Sequence, residues 1–103
     1  MFIVLLKLSD NRAEAGTHME AHKSWLKRGF DEGAFLLAGT MYLEPEVAGS
    51  NPSGGSIIAQ AASREALAAR VAEDPFVAHD VARAEIIEVD ASMADERLAF
   101  LKG

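Results

Sequence analysis

The sequence predicts a ferredoxin-like α+β domain, in which two helices cover one face of a four-stranded antiparallel sheet. Three observations favour this fold. Short apolar, β-branched segments alternate with longer helical segments in the order β-α-β-β-α-β. The chain has 103 residues, which is the length of one domain, and 50% of them are hydrophobic while 25% are charged, as in ordinary globular proteins. The chain contains no internal repeat and no low-complexity segment.

The first strand and the first helix follow from an apolar run and a helix-start signal. The opening run 2–8 (FIVLLKL) is apolar, β-branched and too short to stand alone as a helix, which indicates a strand. A polar loop follows this run. Thr17 and Glu20 then have the spacing of a capping box, and Gly33 suits the left-handed position just after a helix. We therefore expect the first helix over residues 18–32.

Two strands and a long loop form the middle of the chain. The second strand is predicted over residues 34–43, with Gly39 interrupting it where a backbone or a ligand can approach closely. Glycine and proline recur over residues 44–55, which predicts an irregular loop. We expect this loop to determine ligand specificity, since loops on a rigid sheet commonly carry recognition. The third strand is predicted over residues 56–62.

The second helix, the fourth strand and a tail complete the order. Ser63 can cap a helix over residues 64–73, and Asp74-Pro75 ends that helix because proline cannot continue it. The next segments are predicted as a short helical turn at 77–81 and a strand at 83–89. The tail at 91–103 contains Ser92 and is predicted to form a short amphipathic helix. We therefore expect the α+β domain to comprise residues 1–90.

The strands are apolar on both faces, although the two helices can cover only one face. In the first strand, Phe2 and Val4 alternate with Ile3 and Leu5, so that each face receives large apolar side chains. Monomers generally avoid an uncovered apolar face of this size. We expect a homodimer in which two sheets pack face to face. The alternative is that the tail helix folds back over the open face, although a helix of about ten residues covers only part of four strands.

Charge and cysteine content exclude several classes of function. Sixteen acidic residues against ten basic ones give a formal charge of −6 without a Lys/Arg cluster, so we expect no nucleic-acid and no membrane partner. The absence of cysteine excludes disulfides, thiolate metal sites and cysteine nucleophiles. The apolar start ends at Lys7, well short of a signal segment or a membrane span, which predicts a cytoplasmic protein.

His22 is the most informative candidate for chemistry. It falls within the apolar stripe of the first helix, at helical spacing from Met19 and Leu26. A neutral imidazole near physiological pH is what a general base requires. The alternative is a buried histidine whose ring is satisfied by a backbone carbonyl, and spacing alone favours that alternative.

Asp74 also has two interpretations. With Pro75 at the first helical position, it makes an ordinary N-cap for the short turn that follows. In the functional interpretation it orients the His22 ring and stabilises an imidazolium as this forms. Both helices lie on the same face of the predicted sheet, so the two side chains can meet. The sequence leaves both interpretations open.

Metal and cofactor signals are weak. His18 and His22 are four residues apart, a spacing that can chelate a metal, but no third ligand is specified, so we expect no metal. The run Gly54-Gly55-Ser56 is too short for a phosphate-binding loop, and we expect no cofactor. The candidate substrate-binding residues are Gly39, Tyr42 and Ser56.

Taken in order, these segments resemble the YciI-like (YCII-related) family. The matching segments are AHKSWL at 21–26, GAFLLAG at 33–39, GSII at 55–58, DPF at 74–76 and AEIIEV at 84–89. The resemblance covers about residues 1–90. It implies a dimeric α+β barrel of ferredoxin-like protomers, each with a cleft that contains a His-Asp pair, here His22 and Asp74. Some members of the family resemble lyases or dehalogenating enzymes that act on ring compounds.

The chain departs from the family pattern near the expected mouth of the pocket. Thr40 follows Gly39 where members often have proline, and Gly54 stands where they often have aspartate. We expect a cofactor-independent enzyme, of lyase, isomerase or dehalogenase type, that moves a proton or eliminates a group on a small organic compound, including cyclic ones. The alternatives are a small-ligand binding module and an interaction module of the same fold.

Overall fold

The computed structural model describes residues 1–43 and 52–102. Four strands form one antiparallel sheet in the spatial order β2-β3-β1-β4. The strands are β1 (Phe2–Leu8), β2 (Phe35–Met41), β3 (Gly54–Ala59) and β4 (Ala82–Glu88). The helices are α1 (Ala15–Asp31), α2 (Arg64–Ala72) and α3 (Pro75–Ala78), and 3-10 turns cover Arg12–Glu14 and Glu96–Leu101. This order is ferredoxin-like, and the predicted fold class is confirmed. Most of the loop predicted over 44–55 lies outside the described residues.

The core lies between the helices and one face of the sheet. Alternation along β1 places Phe2, Val4 and Leu6 on this face, and all three are buried. Trp25 of α1 and Leu67 of α2 pack against them in the same apolar cluster. Burial of these side chains, at about 1.5–3 kcal/mol each, is the main favourable contribution to folding. The core therefore fixes α1 over the sheet, where it can form one wall of a site.

The opposite face of the sheet carries a row of apolar side chains that none of the described helices covers. The strand register places Ile3 of β1 beside Ile58 of β3 and Ile87 of β4, and Leu37 of β2 follows beside Ile58. Leu37 is 57% exposed and Ile87 is 38% exposed. The 3-10 turn of the tail buries none of its own side chains. With the tail as described, Leu37 and Ile87 stay exposed on this face.

The capping box predicted at Thr17 and Glu20 is wrong, because α1 already begins at Ala15. The 3-10 turn before it leads directly into the helix: Glu14 has near-helical backbone angles, and the Ala15 N–H donates to the carbonyl of Arg12. Helical winding thus starts upstream, and Thr17 becomes an interior residue. The helix end was predicted correctly, since Gly33 follows it with a φ of +76°.

Strand β3 begins earlier than the sequence predicted, at Gly54. Gly54 has a φ of +149°. A Cβ atom at this position would collide with the carbonyl oxygen of Leu6 on β1, so the strand can pair here only because the residue is glycine. From the sequence, Gly54 is predicted to lie in the loop, because two adjacent glycines usually indicate one.

The tail forms a 3-10 turn instead of the amphipathic helix that was expected after Ser92. The carboxylate of Asp95 caps this turn by accepting from the Arg97 N–H. The hydrogen bond from the Arg97 guanidinium, with that backbone bond, holds the pKa of Asp95 below its ordinary value. Within the described ranges, no helix is long and apolar enough to cross a membrane.

Candidate functional site

A cavity of about 400 Å³ lies between α1 and the sheet. Its volume falls in the range of small-molecule sites, about 300–1,000 Å³. The walls are mostly apolar and include the side chains of Leu6, Leu8, Met19, Leu26, Ile57 and Phe76. Gly55 lies between Leu6 and Thr40 in the strand register and carries no side chain, which leaves room on the sheet side of the cavity. The cavity thus suits a small, largely apolar molecule.

Helix α1 places His22 in the wall of this cavity. Met19, His22 and Leu26 share one face of the helix, and all three line the cavity. The His22 ring stacks in parallel on the Phe76 ring, with centroids 4.0 Å apart and planes at 1°. Trp25 lies on the same helix with its ring centroid 6.0 Å from that of His22. Packing against Phe76 fixes the plane of the imidazole, so its nitrogens keep fixed directions.

Asp74 is both the N-cap of α3 and the partner of His22. Its Oδ1 lies 2.7 Å from His22 Nδ1 and also accepts from the Phe76 N–H at 3.1 Å. Pro75 occupies the first turn of α3, where its missing N–H costs nothing. The two interpretations left open by the sequence therefore describe one side chain, and one oxygen atom has both contacts.

These contacts determine which nitrogen of His22 carries the proton. An ionised carboxylate can only accept hydrogen bonds, and Asp74 Oδ1 also accepts from the Phe76 N–H, so His22 Nδ1 is assigned as the donor. In the neutral ring Nε2 then has the free lone pair, and among the described residues it makes no hydrogen bond. The His22 side chain is 13% exposed. This arrangement can accept a proton at Nε2 from a molecule in the cavity.

The carboxylate of Asp74 is fully buried at 0% exposure. Its second oxygen, Oδ2, has no hydrogen-bond partner in the described part of the chain. A buried carboxylate with an unpaired oxygen is costly, and a positive charge nearby lowers this cost. Protonation of the adjacent His22 ring would place a positive charge beside this carboxylate.

Of the three candidate substrate-binding residues, the structure places two in the wall of the cavity. Gly39 and Ser56 line the cavity together with His22. Tyr42 does not line it; this residue follows the end of β2 and is 53% exposed. A role of these residues in substrate binding stays a prediction. The sequence did not indicate Lys23 as a lining residue, although its helical spacing from Met19 and Leu26 could have done so.

The two histidines considered as metal ligands have separate partners. His18 stacks on His79, with ring centroids 4.0 Å apart and planes at 9°, whereas His22 pairs with Asp74. Over residues 1–43 and 52–102, no three His, Asp or Glu side chains form a group that could hold a metal ion. The geometry at His22 is therefore that of a histidine-carboxylate pair.

Comparison with known proteins places the chain in a family. The model of the YCII-related domain matches residues 1–90. The chain belongs to the YCII-related family. Among solved structures, it is similar to 5-chloro-2-hydroxyhydroquinone dehydrochlorinase from Burkholderia phenoliruptrix in complex with 2,5-dihydroxybenzoquinone, with a TM-score of 0.67 at 15% identity, covering 86% of this chain and 93% of that one. This likeness shows a shared fold. No curated protein matches the sequence.

Proposed function

We propose that this YCII-related protein is a cofactor-independent enzyme that removes a proton from a small ring compound, with His22 as the base. The observation that carries the proposal is the 2.7 Å contact between His22 Nδ1 and Asp74 Oδ1 at the wall of an apolar cavity. The contact leaves Nε2 as the proton acceptor. Asp74 acts through His22 by fixing its tautomer and by stabilising the imidazolium.

The proposed reaction is a proton abstraction followed by elimination or by return of the proton. His22 Nε2 takes a proton from an O–H or C–H group of the ring compound. The electron pair left behind forms a new double bond, and the bond to a leaving group such as chloride breaks with its electrons. The net change is loss of one acid molecule, H–X. In an isomerisation, the imidazolium instead returns the proton to another carbon of the same compound.

The size of the cavity and the neighbouring fold support a substrate with one ring. An apolar cavity of roughly 150 Å³ holds benzene, so about 400 Å³ accommodates one substituted ring. The solved dehydrochlorinase with the same fold is named for a chlorinated hydroxyhydroquinone. We take compounds of this kind as the first substrates to test.

Chloride release from 5-chloro-2-hydroxyhydroquinone tests the proposal. The unmodified protein is expected to accelerate release, and His22→Asn should slow it about 10²–10⁴-fold, as for loss of a general base. The matched control is His18→Asn, because His18 lies on the same helix but does not line the cavity. Unchanged release in His22→Asn would refute the assignment. Binding of the compound without release would instead indicate a ligand-binding module.

We also infer a homodimer formed through the uncovered face of the sheet. Ile3, Leu37, Ile58 and Ile87 form a continuous apolar row on this face. Packing two such faces together removes the row from water at about 25 cal/mol per Å² of apolar surface. The cavity lies on the other side of the sheet, between the sheet and α1, and is not part of this inferred interface.

A further inference from the structure

We propose that Lys23 binds an anionic oxygen of the substrate, a carboxylate or a phenolate, so that the compound taken by the cavity is a small ring acid. This inference rests on the proposed function of the cavity and specifies the class of its substrate. Lys23 directly follows the proposed base, His22, in α1.

The position of Lys23 on α1 is the first argument. Met19, His22, Lys23 and Leu26 follow the spacing i, i+3, i+4 and i+7, and all four line the cavity. This is the spacing of the apolar stripe with which a helix usually covers a core. A lysine in such a stripe lays its methylene stem along apolar surface and holds its ammonium at the edge. Lys23 thus brings a positive charge to a wall that is otherwise apolar or neutral.

The charges around the cavity are the second argument. Among its described lining residues, His22 and Lys23 are the ionisable ones, and no carboxylate lines it. Lys23 forms no ion pair with the described residues, whereas Lys27, one turn further along α1, lies 2.7 Å from Asp31. The chain as a whole has a formal charge of −6. An anion entering the cavity would therefore meet an ammonium that no carboxylate of residues 1–43 and 52–102 neutralises.

An anionic oxygen held by Lys23 would also orient the ring for proton transfer. A charge-assisted hydrogen bond is about twice as strong as a neutral one, and apolar walls reduce its screening. Lys23 and His22 are adjacent residues on the helix side, while Thr40, which lies beside Gly55 and Leu6 in the strand register, brings a hydroxyl group to the sheet side. A ring anchored at Lys23 would present a fixed edge to His22 Nε2.

Binding of 4-hydroxybenzoate and 4-hydroxybenzamide tests this inference, because the two probes differ in charge and share ring and hydroxyl. NMR titration of the unmodified protein should show the anion binding about tenfold more tightly than the amide. Lys23→Met should remove this preference while leaving the affinity for the amide unchanged. The matched control Lys27→Met should keep the preference. High salt should weaken only the binding of the anion.

Three results would overturn the inference: equal affinities for both probes in the unmodified protein, equal weakening of both probes by Lys23→Met, or binding of neither probe. Chloride release and its loss in His22→Asn are measured separately. If that pair of results holds while Lys23→Met has no selective effect, the base assignment stands and only the anionic substrate class fails. On an anionic substrate, Lys23→Met should raise KM about tenfold with a smaller change in kcat.

Discussion

Two substitutions of Asp74 separate the hydrogen bonds that its carboxylate accepts from the charge that it carries. Asp74→Asn keeps an oxygen that can accept from the Phe76 N–H and from His22 Nδ1, but it removes the charge. Asp74→Ala removes both acceptors and the charge together. The comparison therefore decides whether the buried carboxylate serves the fold, the chemistry or both.

The structure gives the expected size of each effect on the free energy of unfolding. Loss of an N-cap costs about 1 kcal/mol, and a buried donor left without an acceptor costs about 1–3 kcal/mol. Asp74→Ala deprives the Phe76 N–H and the His22 ring of their acceptor, so we expect a loss of about 2–4 kcal/mol. Asp74→Asn keeps the cap and removes a buried charge whose Oδ2 has no described partner. We expect its stability to change by no more than about 1 kcal/mol.

Urea unfolding followed by tryptophan fluorescence measures these differences. The chain contains one tryptophan, Trp25, which is buried with its Nε1–H donating to the Arg70 carbonyl. Its emission therefore reports loss of the packing between α1 and α2. At one protein concentration, both variants should unfold with the same m-value as the unmodified protein, so that differences between midpoints convert into differences in free energy.

The rate of chloride release provides the second measurement. Asp74→Asn should remain folded and slow release about 10²–10⁴-fold, because the imidazolium that forms at His22 loses the negative charge that stabilises it. A stable Asp74→Asn variant with unchanged release would reduce Asp74 to a helix cap. An Asp74→Asn variant as unstable as Asp74→Ala would show that the charge itself is structural.

Two further predictions concern the sheet. Light scattering should give twice the mass of one chain, and a single-chain mass for the unmodified protein would contradict the dimer. Ile3→Asp should halve the measured mass, because a carboxylate would enter an apolar interface. The control Ala68→Asp, on the exposed side of α2, should leave the mass unchanged. Gly54→Ala should cost about 1–3 kcal/mol, since the added Cβ collides with the Leu6 carbonyl at a φ of +149°. Gly39→Ala, where a Cβ meets nothing within 4 Å, should leave the melting temperature unchanged, and equal losses in both variants would contradict this account.

Local signals in the sequence predicted the elements where one residue type suffices. Ser63 caps α2, Pro75 opens α3 with Asp74 as its cap, and Gly33 ends α1, as expected. The start of α1 was mispredicted because Thr17 has the pattern of a cap, whereas an upstream 3-10 turn already fixes the helical backbone. The pattern at Thr17 and Glu20 carries no information about this upstream turn, so it places the start of the helix too late.

The site depended on information that local patterns do not contain. His22 and Asp74 are 52 residues apart, and their contact arises from the way α1 and α3 pack on one sheet face. Both residues could be identified as candidates from the sequence, and the family resemblance implied their pairing. The sequence did not reveal Phe76 as the surface on which the imidazole stacks, because that contact depends on how α1 and α3 pack together.

Because Oδ1 of Asp74 contacts both His22 and Phe76, the intact contact between His22 and Asp74 can be observed without any substrate. The Phe76 amide hydrogen and the His22 ring hydrogen are bound to the same atom, Oδ1, and α3 is only four residues long. An opening motion that rotates this carboxylate away releases both hydrogens at once. Hydrogen exchange at the Phe76 amide therefore measures how often the acceptor is withdrawn from the ring. The same opening equilibrium sets the fraction of molecules in which the imidazole is aligned. A ligand that requires the aligned imidazole therefore binds with an apparent affinity that is reduced by this fraction.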